Sequence, residues 1–328
     1  MLKKYCLTLL IACVVITSAC KREKEWEGEP VAGKRWKIDV LKYINNSYTS
    51  TFENQLRAAL SNAGFKEKRD YRIRIRSAQG DMSNLPLIID AAVNDDSDLL
   101  VLFQAPTLYT AINKVPDVKK VFTLLQNPFV LGAGGSDSQH MPNLTGFYVV
   151  PPIRELLEKI TECSPEIKTL GTLYMVGNED SVDRKNELMK LAQEKGIEVY
   201  AEGYNTQNDI IDSAAALFNK RPDAAIHLLD PAQDVTFPAL FQQSRSNKTP
   251  LFSVVYNMEK IGASMVASTD RDEIGLKFGE MVARILKGED PTHMPFESDA
   301  ALTKHFAINS VYAREAGLTL PASLTAGK

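Results

Sequence analysis

From residue 36 onward, short apolar runs alternate with longer stretches whose apolar side chains recur every three or four positions. Runs at 37–43, 71–77, 99–103 and 120–125 read as strands, and the third, Leu99-Leu100-Val101-Leu102-Phe103, reads as a buried one. Helical spacing falls between them, at 50–63 (ended by Gly64), 84–94 and 107–114. An order of β-α-β-α-β-α-β predicts a parallel sheet covered by helices on both faces.

After a loop at 127–143 the pattern restarts. Helices are predicted at 153–163, 182–195 (ended by Gly196), 210–219 and 236–246, with strands at 169–176, 198–203, 224–229, 250–255 and 262–268. An amphipathic helix at 271–287 carries Ile274, Phe278, Met281, Val282 and Ile285 on one face. A strand at 305–308 and a short helix at 310–316 follow. The fold class is α/β, with two Rossmann-like lobes in series, a pattern that suits a hinged binding protein.

The N-terminus changes the compartment. Lys3 and Lys4, an apolar run at 7–16 and the small pair Ser18-Ala19 have the three parts of an export signal. Thr17-Ser18-Ala19-Cys20 resembles a bacterial lipobox, with Thr17 where a large aliphatic is usual. The expectation is a signal peptide at 1–19, acylation of the Cys20 thiol, and a charged tether at 20–35 containing Gly28, Pro30 and Gly33. Losing Lys3 and Lys4 with the signal leaves 36 basic against 41 acidic residues, a formal charge of −5. With no basic block beyond the mixed one at 66–76, nucleic acid is not an expected partner.

Candidate chemistry is sparse. Cys6 and Cys13 leave with the signal, so Cys163 stands alone and reads as a small buried hydrophobe. His140, His227, His293 and His305 are scattered with no metal-ligand spacing, so no metal is expected. The glycine-rich stretch at 131–136 lacks the Lys-Ser/Thr ending of a phosphate loop, Gly-x-Ser-x-Gly is absent, and Asp95-Asp96 and Glu289-Asp290 fall in turns. No cofactor and no enzymatic activity are expected.

Ordered short motifs run along nearly all of 37–321: Ala63-Gly64-Phe65, Ser77-Ala78-Gln79-Gly80-Asp81, Asn127-Pro128, Gly132-Ala133-Gly134, Asn143-Leu144-Thr145-Gly146, Asn178-Glu179-Asp180-Ser181-Val182, Leu229-Asp230, Ile285-Leu286-Lys287-Gly288-Glu289, Ile308-Asn309 and Ala316-Gly317-Leu318. In this order and spacing the chain resembles the periplasmic substrate-binding components of ABC transporters, and among them the tryptophan/tyrosine-binding group. The resemblance implies a type I periplasmic-binding-protein fold whose lobes are joined by three crossings: lobe 1 at 36–145 plus about 270–295, lobe 2 at 146–269 plus about 296–320. It also implies a small-molecule ligand, possession of an ABC permease and its ATPase as partners, attachment to a bacterial membrane facing the periplasm or exterior, and action as a monomer. A sensory binding protein that reports to a membrane receptor or kinase is the rival reading.

Ligands of open parallel sheets sit beyond the strand C-termini, near helix N-termini. The strand-to-helix loops therefore supply the candidates. Asn46, Ser47 and Tyr48 follow the first strand, where relatives commonly carry His-Pro and a nearby Asp. Gln104 and Thr107 follow the third, where relatives show Ala-Thr-Pro, and Asn127 follows the fourth, where Asp-Pro is common. In the second lobe Asp180 stands in place of a frequent Asn, with Ser181 retained. Asp230 is the expected acceptor for an ammonium group; Tyr256 and Asn257 follow the next strand, and Tyr48, Tyr109 and Tyr256 could wall an aromatic side chain. The ligand class expected is an aromatic or hydrophobic amino acid.

Overall fold

A computed structural model describes residues 26–318. The signal and the Cys20 lipidation site lie outside the described residues. Strands β1 (Trp36–Lys42), β2 (Tyr71–Ser77), β3 (Leu99–Phe103), β4 (Lys120–Thr123), β7 (Leu144–Tyr148) and the short β13 (Glu297–Ser298) form one parallel sheet, in the order β2-β1-β3-β4-β7-β13. Strand β3 is central and fully buried, as its lack of polar residues requires. Helices α1 (Ser47–Asn62) and α8 (Arg271–Leu286) cover one face, while α2 (Leu85–Asn94) and α3 (Ala105–Lys114) cover the other.

The second sheet runs β9-β8-β10-β11-β12-β14. It comprises β8 (Thr169–Met175), β9 (Glu198–Tyr204), β10 (Ala224–His227), β11 (Leu251–Ser253), β12 (Met265–Thr269) and the antiparallel edge strand β14 (Lys304–Ile308). On one face lie α4 (Ile153–Cys163), α5 (Glu179–Glu194) and α9 (Ser310–Glu315); on the other lie α6 (Ile210–Asn219) and α7 (Gln233–Asn247). Two α/β sheets of mostly parallel strands are thus present, as the alternation of patterns predicts.

Several elements depart from the expected ones, among them the three that follow. The loop predicted at 127–143 contains a small hairpin, β5 (Gly134–Ser136) with β6 (Gln139–His140). Strand β7 is not signalled by its sequence, because it is short and includes Gly146. That glycine is required by packing: a Cβ there would lie 2.4 Å from the Phe122 ring of β4. Strand β12 begins at Met265, three residues later than the apolar run suggests, because 262–264 form the turn that leads into it.

The chain passes between the sheets three times, between β7 and α4, between β12 and α8, and between β13 and β14. One fully buried carboxylate ties these passages together. Asp299 Oδ1 accepts the Val150 N–H at 2.6 Å, and Oδ2 accepts from the Thr269 hydroxyl and from Lys304 Nζ at 2.9 Å. Val150 lies in the first passage, Thr269 ends the strand that leads into the second, and Lys304 starts the strand that the third leads into. Within the second body, Cys163 is buried on α4 with its thiol pKa pushed up, first by burial and then by Glu162.

Candidate functional site

Between the C-terminal ends of the two sheets lies a narrow cavity of about 20 Å³. Four helices begin at its wall: α1 through Tyr48 and Thr49, α3 through Ala105, α5 through Asp180 and Arg184, and α7 through Gln233. Each N-terminus brings the positive end of a helix dipole to the cavity.

The side chains divide into a satisfied half and an unsatisfied half. In the satisfied half, Asp180 Oδ1 accepts the backbone N–H groups of Gln126 and Asn127, each at 2.9 Å, across the gap between the sheets. Its Oδ2 pairs with Arg184 one helical turn on, and Arg184 Nε donates to Gln126 Oε1 at 2.5 Å. Both residues of the pair are buried. A buried ion pair with this many partners is geometrically specified, which is its main use.

The unsatisfied half surrounds Asp230. Its Oδ1 accepts the Tyr204 hydroxyl and the Ala232 N–H at 2.7 Å, but Oδ2 is buried without a partner. Gln233 Oε1 is a second buried acceptor without a partner. Burial raises the Asp230 pKa above the usual carboxylate range, against the lowering effects of the Tyr204 hydroxyl, the Ala232 N–H and Arg184. Burial also drives the Tyr204 hydroxyl far upward, with Asp230 adding to it. Behind this group His227 is fully enclosed, and burial, then the positive Arg184, lowers its pKa to about 3. The imidazole is therefore neutral, held between Ser253 Oγ at 3.1 Å and Thr236 Oγ1 at 3.3 Å. Two unpaired buried acceptors on residues of one cavity wall call for a ligand with N–H donors.

The candidates from sequence sort by position. Asn46, Tyr48, Gln104, Asp180 and Asp230 line the cavity. Gln104, in a left-handed conformation with φ 75°, turns its Oε1 onto the Ile44 N–H at 3.0 Å and so holds the β1 loop in place. Tyr48 stacks on Phe52 with ring centroids 5.5 Å apart, and the Arg271 guanidinium stands 5.6 Å from its ring. Ser47 lies at the mouth, where its N–H and hydroxyl both bond Asp234 of α7, at 2.8 and 2.9 Å. Beside it Asn46 Nδ2 donates to the Pro231 carbonyl at 2.8 Å, so the two bodies are clasped at this edge.

The other candidates stand outside the cavity wall. Thr107 is fully buried on α3 with its hydroxyl unpaired. Asn127 bonds Asp183 at 2.9 Å in an open groove on the far side of Asp180. Ser181 accepts the Met175 N–H at 3.0 Å inside the β8–α5 turn. The Tyr256 hydroxyl donates to Asp270, the cap of α8, at 2.9 Å, and Asn257 occupies a left-handed turn with φ 65°. Tyr109 is exposed on α3. Of the three tyrosines considered for an aromatic wall, Tyr48 alone reaches the cavity.

Arg184, Gln233, Thr49 and Leu229 were not among the sequence candidates, yet all line the cavity. Arg184 left a trace: it occupies the buried stripe of α5 together with Ser181, Leu188 and Leu191, where a charge is out of pattern. Gln233 left none, because the expected helix begins three residues after it.

Residues 37–327 match the family described as ABC transporter substrate binding protein. A tyrosine-binding protein of Clostridioides difficile is 23% identical over 300 residues, 89% of this chain and 87% of that one. Among solved structures, an ABC domain in complex with L-Trp from Streptococcus pneumoniae superposes with a TM-score of 0.83 at 22% identity, covering 89% of this chain and 98% of that one. The ligand-free, open structure of a Clostridium difficile substrate binding protein with adhesive properties gives 0.64 at 22% identity, covering 88% and 96%. These likenesses place the fold with the type I periplasmic binding proteins.

Proposed function

The chain belongs to the ABC transporter substrate binding protein family, and from that premise we propose that it captures a small amino acid-like solute between its two lobes and hands it to an importing permease. The observation that carries the ligand class is the buried, unpaired Oδ2 of Asp230, with the unpaired Oε1 of Gln233 on another residue of the same cavity wall. An ammonium group supplies the missing donors and the missing charge, and the four helix N-termini receive a carboxylate. The apolar part of the solute rests on Tyr48, Leu124 and Leu229. The similar tyrosine-binding protein of Clostridioides difficile and the similar Streptococcus pneumoniae ABC domain in complex with L-Trp support an aromatic or hydrophobic amino acid here.

In this reading the bodies around the two sheets are lobes that open and close about the passages tied by Asp299, and the solute leaves chemically unchanged. Contacts from both lobes make the closed state the one that the ligand favours. Cys20 acylation holds the protein, as a single copy, on the outer side of a bacterial membrane beside the permease and its ATPase.

A thermal-shift screen of amino acids, nucleosides and sugars tests the ligand class. At a concentration of about 100 times the dissociation constant, a ligand adds about 2.7 kcal/mol of stability, a rise of roughly 5 °C or more for a chain of this size. The expected responders are aromatic and large aliphatic amino acids. Failure of every amino acid to raise the midpoint would overturn the ligand class.

A further inference from the structure

A second groove lies on the opposite side of the second lobe from the cleft, where α7 ends, α9 packs and the turn into β12 passes. Helix α7 separates the two places: Gln233 at its start lines the cleft and Lys248 at its end lines the groove, about 22 Å apart along the helix axis. The groove holds about 240 Å³.

Its walls combine aromatic and cationic groups. Phe241 and Tyr312 meet edge to face with ring centroids 5.4 Å apart, and the Arg245 guanidinium stands 5.8 Å from the Phe241 ring. Gly262, at φ 142°, lets that ring sit where it does, since a Cβ there would lie 2.4 Å from it. Among the described residues Arg245 meets Glu315 at 3.5 Å and Lys248 has no carboxylate partner, so the groove carries an excess positive charge. Lys248 also caps α7 in a left-handed conformation, φ 53°, at a position where glycine or asparagine is far less strained. Strained positions collect where a side chain must be aimed at something.

We propose that this groove is a second binding site, separate from the cleft, for a small planar aromatic monoanion such as an aromatic carboxylic acid. The ring lies on the Phe241–Tyr312 wall and the acid group on Lys248 and Arg245. Charge complementarity selects the anion, and the aromatic walls select a flat ring over an aliphatic chain.

Calorimetric titration with indole-3-acetate, set against its neutral counterpart indole-3-acetamide, tests this on the intact protein. The acetate is expected to bind with one-to-one stoichiometry and about tenfold more tightly than the amide. Lys248→Glu weakens acetate binding by about tenfold, and Lys248→Met weakens it in the same direction by less, with unchanged melting midpoints because Lys248 is exposed. Asp230→Asn, in the cleft, leaves acetate affinity within about twofold. Equal affinity for acid and amide, no detectable binding of either, or loss of acetate binding in Asp230→Asn but not in Lys248→Glu would each overturn the assignment.

Discussion

Replacing Asp230 by Asn should stabilise the empty protein and cripple the same protein as a receptor. In the empty cleft the carboxyl is buried, its Oδ2 has no partner, and its pKa is raised. The favourable contribution of such a group is fully present below its unfolded value near 3.8 and is lost as pH rises through the raised folded value. At pH 7 the ionised form is thus a net cost, and each unit of elevation corresponds to about 1.4 kcal/mol. Asn keeps an Oδ1 for the Tyr204 hydroxyl and the Ala232 N–H while removing the charge. The expected gain in unfolding free energy without ligand is about 1–3 kcal/mol, measured by urea denaturation. With ligand the sign reverses. Removing one partner of a buried, charged hydrogen bond costs about 2–5 kcal/mol, a loss of roughly 30- to 4,000-fold in affinity by calorimetry. In the parent, affinity should also fall about tenfold per pH unit below the raised Asp230 value, because the ammonium group binds the ionised form, and the variant should lack that slope. An Asp230→Asn protein that binds its amino acid as tightly as the parent would refute the assignment of the ammonium site. A variant less stable than the parent in the absence of ligand would refute the account of the buried carboxylate.

Asp299→Asn turns a donor toward the Thr269 hydroxyl and leaves Lys304 without its carboxylate, so a loss of about 3–5 kcal/mol is expected in urea denaturation; a loss under about 1 kcal/mol would show that the knot between the passages is dispensable. His227, neutral when folded with a value of about 3 against 6.5 unfolded, makes stability fall as pH drops from about 6.5 toward 3, by up to about 1.4 kcal/mol per unit. His227→Gln should flatten that decline between pH 6.5 and 5, and an unchanged slope would place the protonation elsewhere. Cys20→Ala should release the protein from membranes in fractionation, and continued sedimentation with them would rule out the lipid anchor.

The architecture was legible because it rests on patterns repeated many times. The all-apolar β3, the 3.6-residue stripe of α8 and the glycines that close helices each point to the same α/β alternation, and small errors at element ends do not change it. Where the pattern failed, the reason is local. Strand β7 is held by neighbours on both sides and by the fit of Gly146 to Phe122, which a short run with a glycine does not announce.

The cleft was legible only by class. Strand-to-helix loops had to supply it, and five of the eleven residues chosen from them reach the cavity: Asn46, Tyr48, Gln104, Asp180 and Asp230. Which loop residues point inward depends on backbone direction at single positions, such as the left-handed Gln104, and no periodicity encodes that. Arg184 enters from the second turn of a helix, where its spacing marks it as core and only its charge objects.

By itself the sequence determined two α/β bodies in series, and the cluster of helix N-termini that comes with strands feeding helices at one end of a sheet. Tertiary structure alone decided that Asp180 satisfies the backbone of the opposite lobe while Asp230 is left with a free oxygen. Both are acidic residues that closely follow a strand, Asp180 in the first turn of α5 and Asp230 in the loop before α7, and nothing in either sequence neighbourhood predicts their different partners. Their roles differ because backbone donors more than 50 positions away reach Asp180, whereas Asp230 draws only on Tyr204, 26 positions away, and on Ala232, which leaves its second oxygen free.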